Sequence, residues 1–212
     1  MSEARTDHAA HFESLDVQAH AAKLGMWVFL SSEVLLFAGL FTLYFAARAH
    51  DPTAFHDAVK HNTKLFGSTN TAVLLISSTI AATGVHEVRA GRERRAMAFF
   101  AATIVMGVAF LVIKFTEYAK HFQDGIYPGG RGSYFVDHQA STHAQFWTLY
   151  YVMTGLHAIH VTVGMGVLFS VILGLRNKTI FKGKSYRADI GAMYWHLIDL
   201  VWIFLWPLFY LA

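Results

Sequence analysis

The sequence of 212 residues contains no cysteine, which excludes disulfide bonds, thiolate metal sites and catalytic thiols. Charged residues are also scarce: they form 15% of the chain, compared with about 25% in soluble domains. No basic patch with interleaved aromatic residues occurs, so a nucleic-acid partner is not expected. Hydrophobic residues form 55% of the chain and are concentrated in long runs. This composition is typical of an integral membrane protein.

Five apolar segments are long enough to cross a bilayer, because about 20 helical residues span roughly 30 Å of hydrocarbon. We expect these spans at residues 24–47, 69–88, 96–120, 146–175 and 189–211. Residues 1–23 are polar and partly acidic, unlike a cleaved signal peptide, and are expected to form a mobile or partner-bound arm. The predicted fold is an all-α integral membrane bundle of five transmembrane helices, in a membrane domain over residues 24–212.

The basic residues of the short loops predict the orientation of this bundle. The loops after the second and fourth spans contain Arg89, Arg92, Arg94, Arg95, Arg176, Lys178, Lys182, Lys184 and Arg187. We expect both loops on the cytoplasmic side. The loops at 48–68 and 121–145 are longer and sparser in basic residues, so they are expected to face outward. Because the number of spans is odd, the N-terminus is predicted inside and the C-terminus outside.

Ionisable side chains lie deep inside three of the spans. They are Glu33 in the first span, His157 and His160 in the fourth, and His196 and Asp199 in the fifth. An ionisable group in hydrocarbon costs a few kcal/mol or more unless it faces protein or water, so these residues are the candidates for function. Each pair is three residues apart and is expected to occupy one face of its helix, pointing into the bundle.

Glu33 has no basic residue nearby on its own helix, so its partner must come from another span or from water. A carboxyl group in such a place is expected to exchange protons near neutral pH, which would suit proton handling or gating. A purely structural hydrogen bond is the alternative. The residues alone leave both interpretations open.

The other polar residues have structural interpretations. Asn70 and nearby serines are expected to bond neighbouring helices. Lys114 and Glu117 are expected to form an ion pair at the outer membrane interface. His196 and Asp199 are expected to tie two helices together by hydrogen bonds. An interfacial belt and packing surface is predicted at the aromatic end of the last span, formed by Trp202, Trp206 and Tyr210.

Haem or metal binding by the histidines is not favoured. A haem with two histidine ligands needs one from each of two helices at the same depth, and a pair three residues apart on one helix cannot sandwich it. A metal site built from histidines and Asp199 would need a third helix, which offers no obvious ligand. We therefore expect no metal, no cofactor-binding residue and no catalytic residue in this chain.

Five motifs in order resemble subunit III of the haem–copper oxidases. They are WVFLSSEVLLFAGLF at 27–41, STNTAVLLISS at 68–78, KFTEYAKHF at 114–122, FWTLYYVMTGLHAIHVTVG at 146–164 and YWHLIDLVWIFLWPLFYL at 194–211. The resemblance covers all five spans and leaves only the N-terminal arm and the outer loops unaligned. The pattern Trp-His-x-x-Asp-x-x-Trp in the last motif is much more specific than hydropathy.

The resemblance implies an accessory role in a respiratory complex. Subunit III of that family carries no haem or copper; it packs against catalytic subunit I, which holds both, and it supports proton uptake and protects that centre during turnover. We expect subunit II, further subunits and membrane phospholipids as other partners. Larger members have seven spans and a lipid-filled cleft, but this chain resembles the five-span form, so the cleft is not implied.

The resemblance also assigns the polar residues. Glu33 matches the intramembrane glutamate of the family and is the candidate for proton handling. The polar positions of the last spans are matched by His157, His160, His196 and Asp199. With Asn70 and Glu117, these four form the predicted intramembrane polar network.

The electron donor is not determined by these motifs, because the donor site lies on other subunits. We expect a proton-translocating cytochrome c oxidase of aerobic electron transport in a bacterial cytoplasmic membrane, since that is the commonest setting. A quinol oxidase and a nitric oxide reductase complex are the alternatives within the family. A small proton-coupled transporter is the alternative from another class, although the chain lacks the inverted repeat and the broken spans of such folds.

Overall fold

A computed structural model of the chain describes residues 13–137, 140–181 and 184–211. Within these ranges the chain forms seven helices and no strand: α1 (Leu15–His50), α2 (Pro52–Val59), α3 (Lys64–Arg89), α4 (Glu93–Gln123), α5 (Tyr134–Asp137), α6 (Ala140–Arg176) and α7 (Tyr186–Tyr210). Five of them, α1, α3, α4, α6 and α7, are long and apolar enough to cross a membrane. The predicted all-helical bundle with five candidate spans is confirmed.

The helices extend beyond the predicted spans, most of all at the start of α1. The helix begins at Leu15, and the Ser14 hydroxyl caps it by accepting a hydrogen bond from the Val17 amide at 3.3 Å. Residues 15–23, predicted as part of a polar arm, therefore continue the first span as helix. Hydropathy did not predict these nine residues as helix, because a helix can continue beyond the hydrocarbon of the membrane. Residues 1–12 of the arm lie outside the described residues.

The loop predicted at 48–68 contains the short helix α2. Asp51 caps this helix, because its carboxylate accepts hydrogen bonds from the Ala54 amide at 3.1 Å and from the Thr53 hydroxyl at 2.8 Å. These two bonds hold the pKa of Asp51 below its usual value. The buried Phe55 of α2 then packs edge-on against Tyr44 of α1. The helix therefore covers one end of the bundle.

The membrane helices are buried to very different extents. In its most apolar stretch α7 has 56% of its residues buried, whereas α1 has only 17%. The α7 helix packs against α1, α3 and α6, and α3 packs most extensively against α4. The α1 helix uses a narrow stripe with a seven-residue repeat, Leu30, Phe37 and Tyr44, to contact the bundle. It is thus a peripheral helix, and α7 is the central one.

Ion pairs link three helices at one end of the bundle. Asp189 at the start of α7 accepts a hydrogen bond from Arg89 at 2.8 Å and lies 3.6 Å from the Lys23 ammonium of α1. The start of α1, the loop after α3 and the loop before α7 therefore share one end. This is the end that the loop charges predict to be cytoplasmic. Lys182 of the second basic loop lies outside the described residues.

Candidate functional site

Glu33 pairs with a histidine of another span. Its Oε2 lies 2.8 Å from Nε2 of His160, which joins α1 to α6. The other ring nitrogen of His160, Nδ1, lies 2.8 Å from the Leu156 carbonyl. The hydroxyls of Ser31 and Ser32 bond to carbonyls of their own helix and do not reach Glu33. The carboxyl group therefore has one protein partner from another helix, as its sequence position requires.

This geometry fixes the number of protons that the pair holds. A carbonyl can only accept, so Nδ1 of His160 must carry a hydrogen. The contact between Nε2 and Oε2 then needs one further proton, which makes either an imidazolium with a carboxylate or a neutral imidazole with a carboxylic acid. The contact between Glu33 and His160 is thus a hydrogen bond with one proton lying between the two atoms.

The Glu33–His160 pair is not sealed inside the bundle. The side chain of Glu33 is 16% exposed and that of His160 is 14% exposed. Phe37 lies against the His160 ring at 5.4 Å between ring centres, and Tyr194 lies on another side at 6.5 Å. The pair therefore lies at the edge of the seam between α1 and α6, and this chain alone does not enclose it.

A second acid–base pair is completely buried. Lys114 and Glu117 of α4 are each 1% exposed, and their Nζ and Oε2 atoms are 2.9 Å apart. Lys114 also donates to the hydroxyls of Tyr150 and Tyr210 at 2.8 Å each, which satisfies all three ammonium hydrogens. Tyr210 in turn donates to Glu117 Oε2 at 2.7 Å. The predicted ion pair therefore forms, and it is buried within the bundle.

Aromatic side chains surround this pair. Trp202 and Tyr210, from the predicted packing surface at the end of α7, are buried and belong to its wall. The Lys114 ammonium lies 4.4 Å from the centre of the Tyr150 ring and 5.5 Å from that of Trp202. These are distances at which aromatic faces attract a cation. We call Lys114, Glu117, Tyr150, Tyr210 and Trp202 the Lys114 cluster.

His157 does not share surroundings with His160. It is fully buried between Phe110 of α4 and Trp202 of α7, at 5.5 and 5.2 Å between ring centres. Neither of its ring nitrogens has a hydrogen-bond partner among the described residues. Both histidines point from α6 into the bundle, roughly 60° apart as their spacing of three residues predicts, but they contact different side chains. Because α6 is surrounded by other helices, this angle is enough for the two side chains to contact different helices.

His196 ties two helices together by a hydrogen bond, as expected, but it is not bonded to Asp199. His196 Nδ1 lies 2.6 Å from the Ser78 hydroxyl of α3, so the link between α3 and α7 passes through serine. Asp199 is buried beside the same Ser78, but neither of its carboxylate oxygens has a well-formed hydrogen bond among the described residues. Asn70 is also buried, and neither atom of its amide has a partner in the described part of the chain.

The predicted polar network is therefore divided among separate places. His160 belongs to the Glu33 pair, Glu117 to the Lys114 cluster, and His196 to the contact with α3. Sequence reasoning missed the contact of the two tyrosines with Lys114. Tyrosine is common both in the interior and at the membrane interface, so the residue type alone does not predict which position it takes. The signal that could have found them is the number of ammonium hydrogens: Lys114 has three, Glu117 alone does not satisfy them, and a buried Lys114 therefore needs acceptors from other helices. No group of three possible metal ligands occurs among the described residues.

Comparisons with known proteins extend over almost the entire chain. The family described as cytochrome c oxidase subunit III matches residues 5–212. Quinol oxidase subunit 3 of Bacillus subtilis strain 168 is 26% identical over 211 residues, covering 97% of each chain. A probable quinol oxidase subunit 3 of Staphylococcus haemolyticus is 28% identical over 194 residues, covering 89% of this chain and 88% of the relative. Its counterpart in Staphylococcus saprophyticus is 26% identical over 206 residues, with 93% and 94% covered.

Proposed function

Because the chain belongs to the cytochrome c oxidase subunit III family, we propose that it is the accessory subunit III of a haem–copper oxidase that takes electrons from quinol. The full-length similarity to subunits named for quinol oxidases carries this proposal. It replaces the expectation of cytochrome c as donor, which rested only on how common that setting is. The haem and copper of the complex are assigned to catalytic subunit I, and none to this chain.

The role proposed for this subunit is to keep protons available beside the catalytic subunit. The Glu33–His160 pair holds one transferable proton at an open seam, so it can act as a local buffer. The Lys114 cluster is unsuited to that task, because its ammonium group has no free donor and its residues are sealed from solvent. The proposed proton-handling residues are therefore Glu33 and His160.

The donor class can be tested on the intact complex. The chain would carry an affinity tag, and the complex would be purified in mild detergent and supplied in turn with reduced ubiquinol or menaquinol analogues and with reduced cytochrome c. We expect haem bands in the preparation and oxygen consumption with quinol only. Activity with cytochrome c alone would overturn the donor assignment, and a core that reduces nitric oxide instead of oxygen would overturn the reaction. A colourless chain that dissipates a proton gradient by itself in liposomes would support the transporter alternative.

The proton role can be tested with Glu33→Gln, which keeps the size and the hydrogen-bonding ability of the side chain. The matched control is Glu13→Gln, the same change at an exposed position. We expect the Glu33 variant to assemble normally but to lose turnover at alkaline pH, where free protons are scarce, and to inactivate after fewer turnovers. Turnover and lifetime equal to those of the control at every pH would reduce the pair to a structural hydrogen bond.

A further inference from the structure

One buried ionisable side chain has no role in the function proposed above. Asp199 of α7 is 4% exposed, and neither of its carboxylate oxygens has a well-formed hydrogen bond among the described residues. Ser78 of α3 is the polar side chain beside it, and no charged group interacts with it in the described part of the chain. An ionised carboxylate buried in this way is far costlier than a neutral acid. Asp199 is therefore favoured as a carboxylic acid that holds a proton.

Ser78 connects this acid to a histidine. Its hydroxyl lies 2.6 Å from Nδ1 of His196, which precedes Asp199 by about one helical turn on α7. A hydroxyl carries one hydrogen and accepts through two lone pairs, so Ser78 can take a proton from one neighbour while it gives its own to the other. Histidine has the same ability, because each of its two ring nitrogens can bind or release a proton. The row His196–Ser78–Asp199 can therefore conduct a proton.

His196 also reaches a cavity that opens to solvent. This cavity encloses about 380 Å³, and Lys23, Arg89 and Asp189 belong to its wall. The side chains of Lys23 and Arg89 are 46% and 60% exposed, so the cavity opens at the end of the bundle that the loop charges predict to be cytoplasmic. A polar cavity of this size holds water. Within the described residues His196 uses only Nδ1 for hydrogen bonding, which leaves Nε2 to bond with that water.

The row extends to about the middle of the membrane. From Asp189, near the solvent end of α7, to Asp199 the helix rises by about 15 Å, at 1.5 Å per residue. That is half of the roughly 30 Å of hydrocarbon in a bilayer. The neighbouring Trp195 donates its indole hydrogen to Ser77 at 3.0 Å and so does not compete for Ser78. The row thus links solvent to a buried acid without using the Glu33–His160 pair of α1 and α6.

We propose that Asp199 is a second proton-binding site of this chain, and that it exchanges its proton with the cavity through His196 and Ser78. To fill the site, Nε2 of His196 takes a proton from cavity water, Nδ1 passes its hydrogen to the Ser78 oxygen, and the Ser78 hydroxyl passes its own to the Asp199 carboxylate. Three bonds to hydrogen form and three break, and the imidazole ends as the other tautomer. The same steps in reverse return the proton. Its use as a reserve for the catalytic subunit rests on the function proposed above, whereas the exchange itself does not.

Infrared spectroscopy of the complete tagged complex in nanodiscs tests this proposal. The stretching band of a protonated carboxyl group shifts when deuterium replaces its hydrogen, so a rapid change from ordinary to heavy water gives the exchange rate. The band of Asp199 is the one that Asp199→Asn removes from the spectrum. Ser78→Ala interrupts the row. Ser170→Ala is the matched control, because the Ser170 hydroxyl is exposed and bonds to the Val167 carbonyl of its own helix.

We expect the Asp199 band to be present at about pH 6, where an ordinary aspartate is ionised, and to shift in heavy water. Ser78→Ala should slow this shift about 100-fold, because a positioned proton-transfer group is lost, and Ser170→Ala should leave its rate unchanged. The proposal is overturned by a complex without an Asp199 band, by a band that never shifts, or by equal rates in the two alanine variants. If Asp199→Asn does not assemble, isotopically labelled aspartate identifies the band, and the two alanine variants still decide. Turnover is not the readout, so the result is independent of the electron donor and of the role of Glu33.

Discussion

Removing the negative charge of the Lys114 cluster should destabilise the chain strongly. Glu117→Gln keeps the shape of the side chain but leaves the Lys114 ammonium buried without a counter-charge, at 1% exposure. Breaking a buried ion pair by removing one partner typically costs about 3–5 kcal/mol. The cost should lie near the upper part of that range, because no water reaches the ammonium group to solvate it. The tyrosine hydroxyls offer only partial compensation as neutral acceptors.

Removing both charges should restore much of the lost stability. In the double variant Lys114→Met with Glu117→Leu, no charge remains to be desolvated, and apolar replacements of buried ion pairs are often neutral or stabilising. What remains lost is the hydrogen bonding of the Tyr150 and Tyr210 hydroxyls to the pair, which we expect to cost about 1–3 kcal/mol. The double variant should therefore be more stable than Glu117→Gln alone.

Thermal unfolding of the tagged complex in mild detergent measures both effects. For a domain of this size each kcal/mol shifts the melting temperature by about 2–4 °C, so Glu117→Gln should lower it by about 6–20 °C. Glu13→Gln, the same change at an exposed site, should leave it unchanged. The reasoning is refuted if Glu117→Gln melts within about 2 °C of the unaltered chain, or if the double variant is less stable than the single one.

Three further predictions concern the helices themselves. Gly107→Ala should lower the free energy of unfolding by about 1–3 kcal/mol, because the new Cβ would lie 2.8 Å from a buried tryptophan ring of α7. Gly39→Ala is the control in the same thermal unfolding experiment, because its Cβ would enter open space and should not destabilise the chain. The pKa of Asp51 is lowered by the Ala54 amide, so its stabilisation of α2 is present above about pH 4 and is lost as the pH falls through the folded pKa. The protection factors of the α2 amides, which correct hydrogen exchange for its intrinsic pH dependence, should fall there, and Asp51→Asn should remove this fall. Tyr44→Phe removes a hydrogen bond of 2.6 Å to a carbonyl of α7, which should lower the stability by about 1 kcal/mol. Hydrogen exchange in the second half of α1 should therefore become faster. Unchanged hydrogen exchange would show that packing alone holds α1.

Hydropathy predicts the five membrane helices well, because each must bury its backbone polar groups in its own hydrogen bonds over the full hydrocarbon thickness. It predicts their ends poorly. The first turns of α1 are polar, and what begins the helix is the hydroxyl of Ser14, with Asp16 favourable in the first turn. Those two residues predict a helix N-terminus by their capping role. A hydropathy window does not detect it, because it averages hydrophobicity only.

The partners of the ionisable residues could not be predicted in the same way. Periodicity states which face of a helix a residue occupies, but not which helix lies opposite that face. Glu33 required a partner from elsewhere, yet nothing local distinguishes His160 from His157 as that partner. The packing of α6 between α1, α4 and α7 decides this: it places His160 at the peripheral seam and His157 in the interior.

The two acid–base pairs of the bundle are therefore suited to opposite tasks. The Lys114 cluster joins α4, α6 and α7, and every hydrogen of its ammonium group is used, so any proton transfer there would leave a buried group unsatisfied. The Glu33–His160 pair joins α1, the least buried of the membrane helices, to α6, and one proton lies between Oε2 of Glu33 and Nε2 of His160 on partly exposed side chains. In the role proposed above, the Lys114 cluster would give the subunit a rigid interior that keeps its shape during turnover, and the Glu33–His160 pair would give it an exchangeable proton at the surface beside the catalytic subunit. Loss of the first should appear as lower stability at every pH, whereas loss of the second should appear as a pH-dependent loss of turnover in a complex that melts normally.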